Sequence, residues 1–367
     1  MEQNQLKHIV SQFATSGTIC EIKPLGAGLI NDTYKVITAE PDEPDYVLQR
    51  VNHNVFPDVD MVMRNIDAVT THIRKKLEAA GEDDIDRKVL HFIPTKADGK
   101  LYAVIDGSYW RLMVFIPNAI TKQAVDAESS RDAGRAFGRF QAMLADIPVQ
   151  LGETIKDFHN MEFRLQQLRE VVSKDPAGRV HEPQVQYLLQ EIDARAEEMC
   201  KAERMGREGT LPKRVCHCDT KVNNMMFNDR NEVLCVIDLD TVMPNFIFSD
   251  YGDFLRTGAN FVAEDNADMS AVGFNMEIFR AFTEGYLESA RSFLLPVEIE
   301  NLPYAAALFP YMQCVRFLWD YLSGDKYWKC QYPEHNFVRA NNQYHLLKSV
   351  EAHYPAMKAF IAEELAK

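Results

Sequence analysis

The sequence predicts an α+β protein with two lobes, an N-terminal lobe of β-sheet with one helix and a larger, mainly helical C-terminal lobe. Short β-type segments bounded by turn residues dominate the first part of the chain, whereas apolar residues at helical spacing dominate the remainder. The character changes at Pro117-Asn118. We therefore assign residues 1–117 to the N-terminal lobe and residues 118–367 to the C-terminal lobe, a length that suffices for two cores.

The N-terminal lobe is predicted to begin with a helix, because apolar residues from Leu6 to Phe13 recur on one helical face before Gly17. Turn signals such as Asp98-Gly99 separate or flank the β-type segments that follow. These segments are 19–25, 33–37, 46–51, 101–105 and 110–116. Apolar residues at helical spacing from Val62 to Leu77 predict a helix between the third and fourth segments. Together they indicate a compact sheet with a helix packed against it.

The C-terminal lobe is predicted to contain helices and one β-hairpin. Two short apolar segments, 224–228 and 233–238, flank the turn Asp229-Arg230-Asn231 and predict the hairpin. The helical pattern covers residues 129–144, 160–173, 184–205, 275–290, 303–322 and 338–365. The mainly helical lobe therefore carries the motif described below.

The composition is typical of a soluble globular protein and restricts its partners. Hydrophobic residues make up 46% of the chain and charged residues 26%. The formal net charge of −14 argues against binding to nucleic acid. No apolar segment approaches the roughly 20 residues that span a bilayer, and Met1-Glu2-Gln3-Asn4 lacks the start of a signal peptide. We therefore expect a cytoplasmic monomer that binds small molecules rather than nucleic acid or membrane.

The cysteines indicate reduced thiols rather than disulfides, because their number, seven, is odd and their positions are scattered. Cys216-His217-Cys218 raises the alternative of a zinc site. Alternate residues of an extended segment point to opposite sides, however, and no second pair has the spacing of a zinc finger. We therefore expect these thiols to be small buried side chains.

The motif H-x-D-x-x-x-x-N at 217–224, followed by I-D-x-D at 237–240, carries the strongest functional signal. This order of parts is typical of ATP-dependent phosphotransferases of the protein-kinase-like type. Asp219 is the candidate base for an acceptor hydroxyl, and Asn224 and Asp238 are candidate Mg²⁺ ligands. A helix cap or turn would explain Asp219 alone but not the other two spacings. Asp240 either assists the metal or holds the following loop.

Other segments have a functional and a structural interpretation. Gly26 and Gly28 lie between two β-type segments, where backbone N–H groups could cover phosphates or simply form a hairpin turn. The segment 250–256 contains Asp253 and Arg256 at helical salt-bridge spacing, and we expect it to support the metal-binding loop. Lys221 either meets the transferred phosphoryl group or is solvated. His217 is expected to orient the loop.

The stretch from Tyr311 to Trp328 mixes aromatic and charged residues on a late helix. It contains Arg316, Trp319, Asp320, Tyr321 and Tyr327. Such a mixture favours recognition of a sugar or a cation, although core packing explains several of these residues equally well.

With these motifs assembled, the chain resembles the aminoglycoside-phosphotransferase and choline-kinase superfamily, and within it the bacterial N-acetylhexosamine 1-kinases. The resemblance extends nearly from end to end. It is carried by 26–34 (GAGLINDTY), 46–52 (YVLQRVN), 56–58 (FPD), the Asp219 loop, 237–244 (IDLDTVMP), 279–285 (FRAFTEG) and 332–336 (YPEHN). The Asp219 loop is common to the superfamily, whereas the strings at 237–244 and 332–336 are more specific.

The resemblance implies a bilobal protein-kinase-like fold that transfers the γ-phosphate of ATP, with Mg²⁺, to the anomeric hydroxyl of N-acetylglucosamine or N-acetylgalactosamine. It implies the base role for Asp219 and the metal-binding roles for Asn224 and Asp238. The residues implied in nucleotide binding are Gly26, Gly28, Asn31, Thr33 and Gln49. Those implied in substrate binding are Asp219, Lys221, Thr257 and Arg316, with Arg316 expected to contact sugar hydroxyls.

The chain departs from the wider pattern at several positions. Protein kinases pair a lysine on the third strand with a helix glutamate, but this chain has Gln49 there, as the sugar 1-kinases do; Arg50 is a candidate replacement. Leu29 and Thr257 lie where relatives often carry histidine and an aromatic residue, which leaves the sugar preference open. Two alternatives follow: a kinase for another small alcohol, such as an aminoglycoside or choline, and a non-catalytic pseudokinase that acts as a sensor.

Overall fold

The computed structural model describes residues 3–26, 30–122, 124–230 and 232–367. The chain forms two compact units that each combine several segments. The first unit comprises Met1–Ile120, Asp146–Lys156 and Met225–Met243. The second comprises Thr121–Ala145, Asp157–Asn224 and Pro244–Lys367. The first unit thus contains the predicted N-terminal sheet and also two segments that lie beyond residue 117, one of which holds the predicted hairpin.

Strands and helices alternate in short groups along the first half of the chain, and helices dominate the second half. Up to residue 120 the elements are α1 (Gln3–Val10), β1 (Ile19–Pro24), β2 (Asp32–Thr38), β3 (Tyr46–Val51), α2 (Val59–Ala79), α3 (Ile85–Lys88), β4 (Ala103–Ile105) and β5 (Ser108–Val114). Then follow α4 (Ala127–Leu144), α5 (Met161–Lys174), α6 (Pro183–Met199), α7 (Lys201–Arg207), β6 (Arg214–Cys216), β7 (Met225–Phe227), β8 (Val233–Val236) and β9 (Met243–Asn245). The last helices are α8 (Phe248–Gly258), α9 (Met276–Ala290), α10 (Pro296–Glu300), α11 (Leu302–Ser323), α12 (His335–Ala352) and α13 (Tyr354–Ala366).

The first unit is built around an antiparallel sheet in the order β1-β2-β3-β5-β4. Helix α1 buries the apolar face that the sequence predicts against one side of this sheet, because only that face is free of polar side chains. The resulting core contains Leu6, Ile9, Val10, Phe13, Ile22, Val36, Tyr46, Leu48, Ile93, Trp110 and Leu112. Burial of each large apolar side chain stabilises the unit by roughly 1.5–3 kcal/mol.

The other side of the sheet carries a row of polar residues. Strand β5 is buried from Trp110 to Met113, so both of its faces are covered. The strand register places Thr33 opposite Gln49 and Gln49 opposite Arg111. Because side chains alternate along a strand, these three residues lie on the face opposite the α1 core, and their row runs across three strands.

The second unit is mainly helical, and α11 is buried on nearly all sides. Helices α4 and α9 approach each other closely at glycines. A Cβ atom at Gly285 would overlap the carbonyl oxygen of Arg131, and one at Gly134 would overlap the carbonyl oxygen of Phe282. This contact depends on the absence of a side chain, since backbone atoms of the facing helix occupy the space.

Most predicted elements are confirmed: both helices of the N-terminal lobe, its five strands, and the hairpin of β7 and β8. Two segments that were each predicted as one continuous helix are interrupted in the structure. The helix predicted at 184–205 is broken at Cys200, and the one predicted at 338–365 is broken at His353 before Pro355. In the region of α8 only the pair Asp253 and Arg256 indicated helical spacing. The extent of the helix was not predicted, because residues 248–256 are buried on every side and their polar members obscure any apolar stripe.

Among the described residues, no helix is both long and apolar enough to cross a bilayer. The fold agrees with the predicted class, with an antiparallel sheet lobe at the N-terminus and a helical C-terminal lobe.

Substitution of Gly285 by alanine is expected to lower the free energy of unfolding by about 1–3 kcal/mol, because the added methyl group collides with the backbone of α4. Alanine normally favours a helix over glycine by about 1 kcal/mol, so a net loss would identify the helix contact as the cause. Urea unfolding followed by circular dichroism measures the change. The exposed control Glu277→Gln on the same helix should differ little, and an unchanged or more stable Gly285→Ala variant would contradict the prediction.

Candidate active site

The candidate catalytic loop, residues 216–224 and called the catalytic loop below, is held by a buried carboxylate in the second unit. Asp250, in the first turn of α8, accepts hydrogen bonds from the backbone N–H groups of His217 and Cys218 at 2.9 and 2.8 Å. The side-chain amide of Gln141 donates a third bond at 2.8 Å. Burial raises the pKa of the Asp250 carboxyl, and His217 and these donors oppose that rise. Charge-assisted bonds to a fixed carboxylate make the start of this loop rigid.

Asp250 thus supports the catalytic loop, a role that the prediction for segment 250–256 did not include; support of the metal-binding loop by this segment stays a prediction. The hydroxyl group of Thr220 adds a bond to the backbone oxygen of Asp250 at 2.7 Å. Within the loop, Cys218 adopts a positive φ of 62°, which is unusual for a residue with a side chain. The surrounding bonds compensate for that conformation, as is common near functional sites.

His217 is completely buried and lies edge-on to the rings of Phe137 and Phe140. Its Nδ1 accepts a hydrogen bond from the backbone N–H of Asp219 at 3.2 Å. This contact orients the backbone at Asp219 and leaves the imidazole away from solvent. The thiols of Cys216 and Cys218 are buried as well, and burial raises the pKa of both.

Asp219 presents its carboxylate with both oxygens engaged by neighbours of the same loop. Lys221 Nζ lies 3.1 Å from Asp219 Oδ1, and Asn224 Nδ2 donates to Asp219 Oδ2 at 3.0 Å. The side chain of Asp219 keeps 23% of its surface exposed, so an acceptor hydroxyl can reach it. A held but accessible carboxylate is the arrangement that a general base requires.

Asn224 suits a hard cation chemically. Its amide nitrogen is committed to the backbone and side chain of Asp219, at 2.8 and 3.0 Å. This orientation leaves the amide oxygen to serve as a ligand, and Mg²⁺ prefers such oxygen ligands. Asn224 lies in a 3₁₀ turn at Val222–Asn224, which fixes its backbone.

Two further charges surround Asp219. Arg256 Nε donates to Asp253 Oδ1 at 3.0 Å, which confirms the predicted helical pair, and its Nη1 donates to Glu264 at 2.7 Å. Burial raises the pKa of the Asp253 carboxyl; Arg256 opposes this rise and the nearby Asp219 carboxylate adds to it. Asp253 and Arg256 therefore help to set the electrostatic environment of Asp219.

Arg316 of α11 belongs to a cationic and aromatic cluster that consists of Arg316, Arg164, Phe158, Tyr327 and Trp328. Its guanidinium carbon lies 5.3 Å from the ring centre of Phe158 and 5.2 Å from that of Trp328. Burial lowers the pKa of Arg316, and burial together with Arg316 lowers the pKa of Arg164 to about 9. Among the described residues neither arginine forms an ion pair with a carboxylate. The cluster is thus cationic, and the carboxylates of Asp219 and Asp253 act on Arg316 from beyond ion-pair distance.

A second buried carboxylate shapes the aromatic part of this cluster. Asp320 is fully buried and accepts hydrogen bonds from the backbone N–H groups of Lys326, Tyr327 and Trp328 at 2.8 to 3.0 Å. Asn336 donates to it at 2.9 Å. The carboxylate therefore fixes the loop that presents Tyr327 and Trp328. Other members of the predicted stretch belong to the core, such as Tyr311, which is buried.

Thr257 and Lys221 were predicted to bind substrate. The hydroxyl group of Thr257 donates to backbone oxygens of its own helix, Asp253 and Phe254, both at 3.2 Å. Lys221 pairs with Asp219 and keeps 38% of its side chain exposed. Lys221 therefore lies beside Asp219, whereas Thr257 is part-buried on α8 one turn beyond Asp253.

The first unit contains the predicted nucleotide-binding residues. Gly26 has a φ of +70°, a conformation that residues with side chains rarely adopt, and it follows the end of β1. The backbone N–H of Leu25 donates to Thr33 at 2.9 Å and closes the hairpin of β1 and β2. Gly28 lies outside the described residues.

Three other predicted residues of this unit are engaged with protein. Gln49 donates to Thr33 Oγ1 at 3.2 Å and accepts two bonds from Arg111, at 2.9 and 2.7 Å. Asn31 donates to Asp240 at 2.8 Å. Arg50, the candidate replacement for the strand lysine, forms an exposed pair with Asp32 on the other face of the sheet from Gln49.

Asp238 begins the 3₁₀ turn Leu239–Thr241 and has a φ of +60°. A non-glycine residue in this region costs of order 1 kcal/mol, so the surrounding structure must hold it. Its carboxylate is a hard oxygen donor of the kind that binds Mg²⁺.

Sequence reasoning did not identify several residues that organise these sites. Gln141, Asn65 and Arg164 gave no signal, because a single polar residue in an apolar helix looks like a surface residue. Arg111 had a usable signal, since an arginine within the strand pattern WRLMV cannot be buried without a partner. Asp320 and the segment 250–256 stand out in the sequence, but the backbone N–H partners of Asp250 and Asp320 come from distant or following segments.

Comparison with known proteins identifies a family. The model of the family described as "APH: Phosphotransferase enzyme family" matches residues 21–284 of this chain. That span includes the glycine turn, the catalytic loop and the 3₁₀ turn after Asp238, and it stops before α11.

Solved structures share the fold at low sequence identity. An aminoglycoside phosphotransferase from Alicyclobacillus acidocaldarius is 12% identical, with a TM-score of 0.62, and the match covers 97% of this chain and 96% of that one. An amicoumacin kinase in complex with AMP-PNP and Ca²⁺ is 12% identical, with a TM-score of 0.59, covering 94% and 93%. A choline kinase from Streptococcus pneumoniae is 12% identical, with a TM-score of 0.52, covering 95% and 98%. At this identity the likeness establishes the fold alone.

Replacement of Asp320 by alanine is expected to loosen the loop at 325–328, because three backbone N–H groups lose their common acceptor. Trp328 should become more accessible, so tryptophan emission should shift to longer wavelength and acrylamide quenching should increase. The control Asp268→Ala removes a carboxylate that caps an exposed turn and should leave both signals unchanged. Equal quenching of Asp320→Ala and wild type would show that the carboxylate does not hold this loop.

Proposed function

The chain belongs to the phosphotransferase enzyme family and is a small-molecule kinase; we propose that it phosphorylates the anomeric hydroxyl of an N-acetylhexosamine with ATP. The observation that carries this proposal is the combination of an accessible, held carboxylate at Asp219 with the cationic and aromatic cluster around Arg316 in the same unit. N-acetylglucosamine and N-acetylgalactosamine are the proposed acceptors, and a sugar 1-phosphate is the product.

Asp219 is the proposed general base. Its carboxylate takes the proton of the acceptor hydroxyl while the hydroxyl oxygen forms a bond to the γ-phosphorus of ATP. The bond between the γ-phosphorus and the bridging oxygen breaks, and ADP leaves. Lys221, 3.1 Å from Asp219 Oδ1, supplies positive charge beside the reacting oxygens.

Asn224 and Asp238 are the proposed Mg²⁺ ligands, and the metal when bound neutralises charge on the ATP phosphates. The bond from Asn224 to Asp219 orients the base and the amide oxygen together. Gly26 and its turn are the proposed cover for the phosphates, where backbone N–H groups can donate without a side chain in the way.

The charge of the acceptor site supports a neutral sugar over a cationic acceptor. Arg316 and Arg164 form no ion pair with a carboxylate among the described residues, whereas the charge of Lys221 is paired with that of Asp219. A like charge 5–6 Å from one of these groups is repelled by about 3 kcal/mol at an effective dielectric constant of 20. Choline and aminoglycosides carry such charges. A neutral sugar instead offers hydroxyl and acetamido oxygens as acceptors to arginine, and it offers C–H faces to aromatic rings.

The acceptor is tested by ³¹P NMR of the protein with ATP, Mg²⁺ and, separately, N-acetylglucosamine, N-acetylgalactosamine, glucose, galactose, choline and kanamycin. The expected product is a sugar 1-phosphate whose phosphorus signal is a doublet coupled to the anomeric proton. Faster reaction with the N-acetylated sugars than with glucose and galactose would support the acetamido group as a determinant. Phosphate on another hydroxyl, or on choline or kanamycin alone, would contradict the proposed acceptor and leave the kinase assignment.

The base is tested with Asp219→Asn, which keeps the size of the side chain and removes its charge. The turnover number should fall by about 10²–10⁴-fold, because the residue can no longer accept the proton, while ATP binding should change little. Asp229→Asn, in the exposed hairpin turn, is the matched control and should retain full turnover. Undiminished turnover of Asp219→Asn would exclude Asp219 as the base, and a wild type that binds ATP without transfer to any acceptor would favour the pseudokinase alternative.

A further inference from the structure

A buried ion pair connects the sheet of the first unit to the turn that carries Asp238. Arg111 on β5 and Asp240 are both 2% exposed, and Arg111 Nη1 donates to Asp240 Oδ1. Asn31 Nδ2 donates to the second oxygen, Oδ2, at 2.8 Å. Both carboxylate oxygens of Asp240 are therefore committed to protein donors.

The bonds of Arg111 and Asn31 extend this connection across the sheet. Nε and Nη2 of Arg111 donate to Gln49 Oε1 at 2.9 and 2.7 Å, and Gln49 Nε2 donates to Thr33 at 3.2 Å. Asn31 Oδ1 accepts a bond from the backbone N–H of Asn52 at 3.0 Å. The network thus joins β2, β3 and β5, Asn31 directly before β2, and the turn after Asp238 within one compact unit.

The turn after Asp238 is held at both of its ends. Asp240 is fixed by Arg111 and Asn31, and the backbone oxygen of Val242 accepts a bond from Asn65 of α2 at 2.9 Å. Asp238 lies between β8 and these anchors with a φ of +60°, a conformation that persists only where neighbours impose it. The anchors therefore determine the direction in which the Asp238 carboxylate leaves the backbone.

Such a pair is a poor source of stability, because the cost of removing two charges from water offsets most of their attraction. The pair instead restricts the geometry of the turn. The guanidinium of Arg111 is bonded to Gln49 through two nitrogens and to Asp240 through the third, and both oxygens of Asp240 are bonded. Such a set of bonds permits few arrangements, so the pair specifies one position for the turn.

We propose that the Arg111–Asp240 pair is a positioning device for the metal-binding aspartate, Asp238, and that Asp240 is not itself a metal ligand. It takes the place of the pair between a strand lysine and a helix glutamate in protein kinases. Here the arginine comes from β5 and its partner from the turn itself, while α2 contributes only the neutral side chain of Asn65. This inference rests on the proposed use of Mg²⁺ and ATP.

The test uses the full-length double variant Arg111→Met/Asp240→Leu, since apolar replacement of both partners removes the pair without leaving one charge buried. Binding of ATP is measured by titration calorimetry without acceptor, once with Mg²⁺ and once with EDTA, and thermal unfolding is recorded. The expected result is a melting temperature within a few degrees of wild type, a Kd for MgATP at least 10-fold higher, and a much smaller Mg²⁺-dependent gain in affinity. An unchanged Kd for MgATP, or an equal loss with and without Mg²⁺, would overturn the proposal.

Two further variants keep the test decisive if the double variant fails to fold. Arg111→Lys retains the charge opposite Asp240 but loses the two bonds to Gln49, so the Mg²⁺-dependent gain should fall only in part. If Asp240 were a metal ligand, Arg111→Met would free its carboxylate and strengthen Mg²⁺-dependent binding. Stronger binding, or full wild-type binding by Arg111→Lys, would also overturn the proposal.

The control is Lys23→Gln/Glu21→Gln, which removes an exposed pair on β1 of the same sheet. It should bind MgATP as wild type does. These titrations need no acceptor, so they can be interpreted even if the wild type phosphorylates none of the sugars. If the double variant loses Mg²⁺-dependent ATP binding but the wild type transfers no phosphate to sugar, only the acceptor assignment is contradicted. A wild type with no Mg²⁺-dependent gain would overturn the positioning role together with the metal site.

Discussion

The arrangement of the catalytic loop depends on one buried carboxylate, that of Asp250, which captures two consecutive backbone N–H groups at the start of the loop. A buried carboxylate is unfavourable unless donors surround it, so it accepts only a geometry in which those N–H groups point at it. That requirement defines the backbone at Cys218, where φ is positive, and hence the direction of Asp219. Gln141 and Tyr286 complete the arrangement, since Tyr286 donates to the amide oxygen of Gln141 at 2.6 Å.

The same device occurs at two other places in the chain. Asp320 accepts hydrogen bonds from three backbone N–H groups of the loop that presents Tyr327 and Trp328. Asp240 accepts hydrogen bonds from Arg111 and Asn31 and holds the turn that follows Asp238. In each case a buried aspartate organises a segment and leaves its chemistry to a neighbouring residue. The carboxylates proposed to act, Asp219 and Asp238, are supported by other carboxylates that do not.

The sequence predicted much of the fold, because periodicity and turn residues report local structure directly. The β-type segments of the first unit and the helix of Val59–Ala79 follow from alternation and from helical spacing. Breaks at Cys200 and His353 escaped prediction, since the apolar pattern continues across them. The extent of helix α8 escaped for the opposite reason, because a segment buried on every side shows no apolar stripe.

The residue types and spacings of 217–240 alone determined the class of chemistry, because phosphoryl transfer needs a base and hard oxygen ligands at fixed separations. What the sequence left open was which carboxylates act and which support. Only tertiary structure decided that Asp250 holds the catalytic loop, that Gln49 is paired with Arg111 and that both oxygens of Asp240 are occupied. The bonds just named join Asp250, Gln49 and Asp240 to partners 32 to 209 positions away in the chain. No local pattern encodes such separations, since burial and partner identity exist only once the segments have packed together.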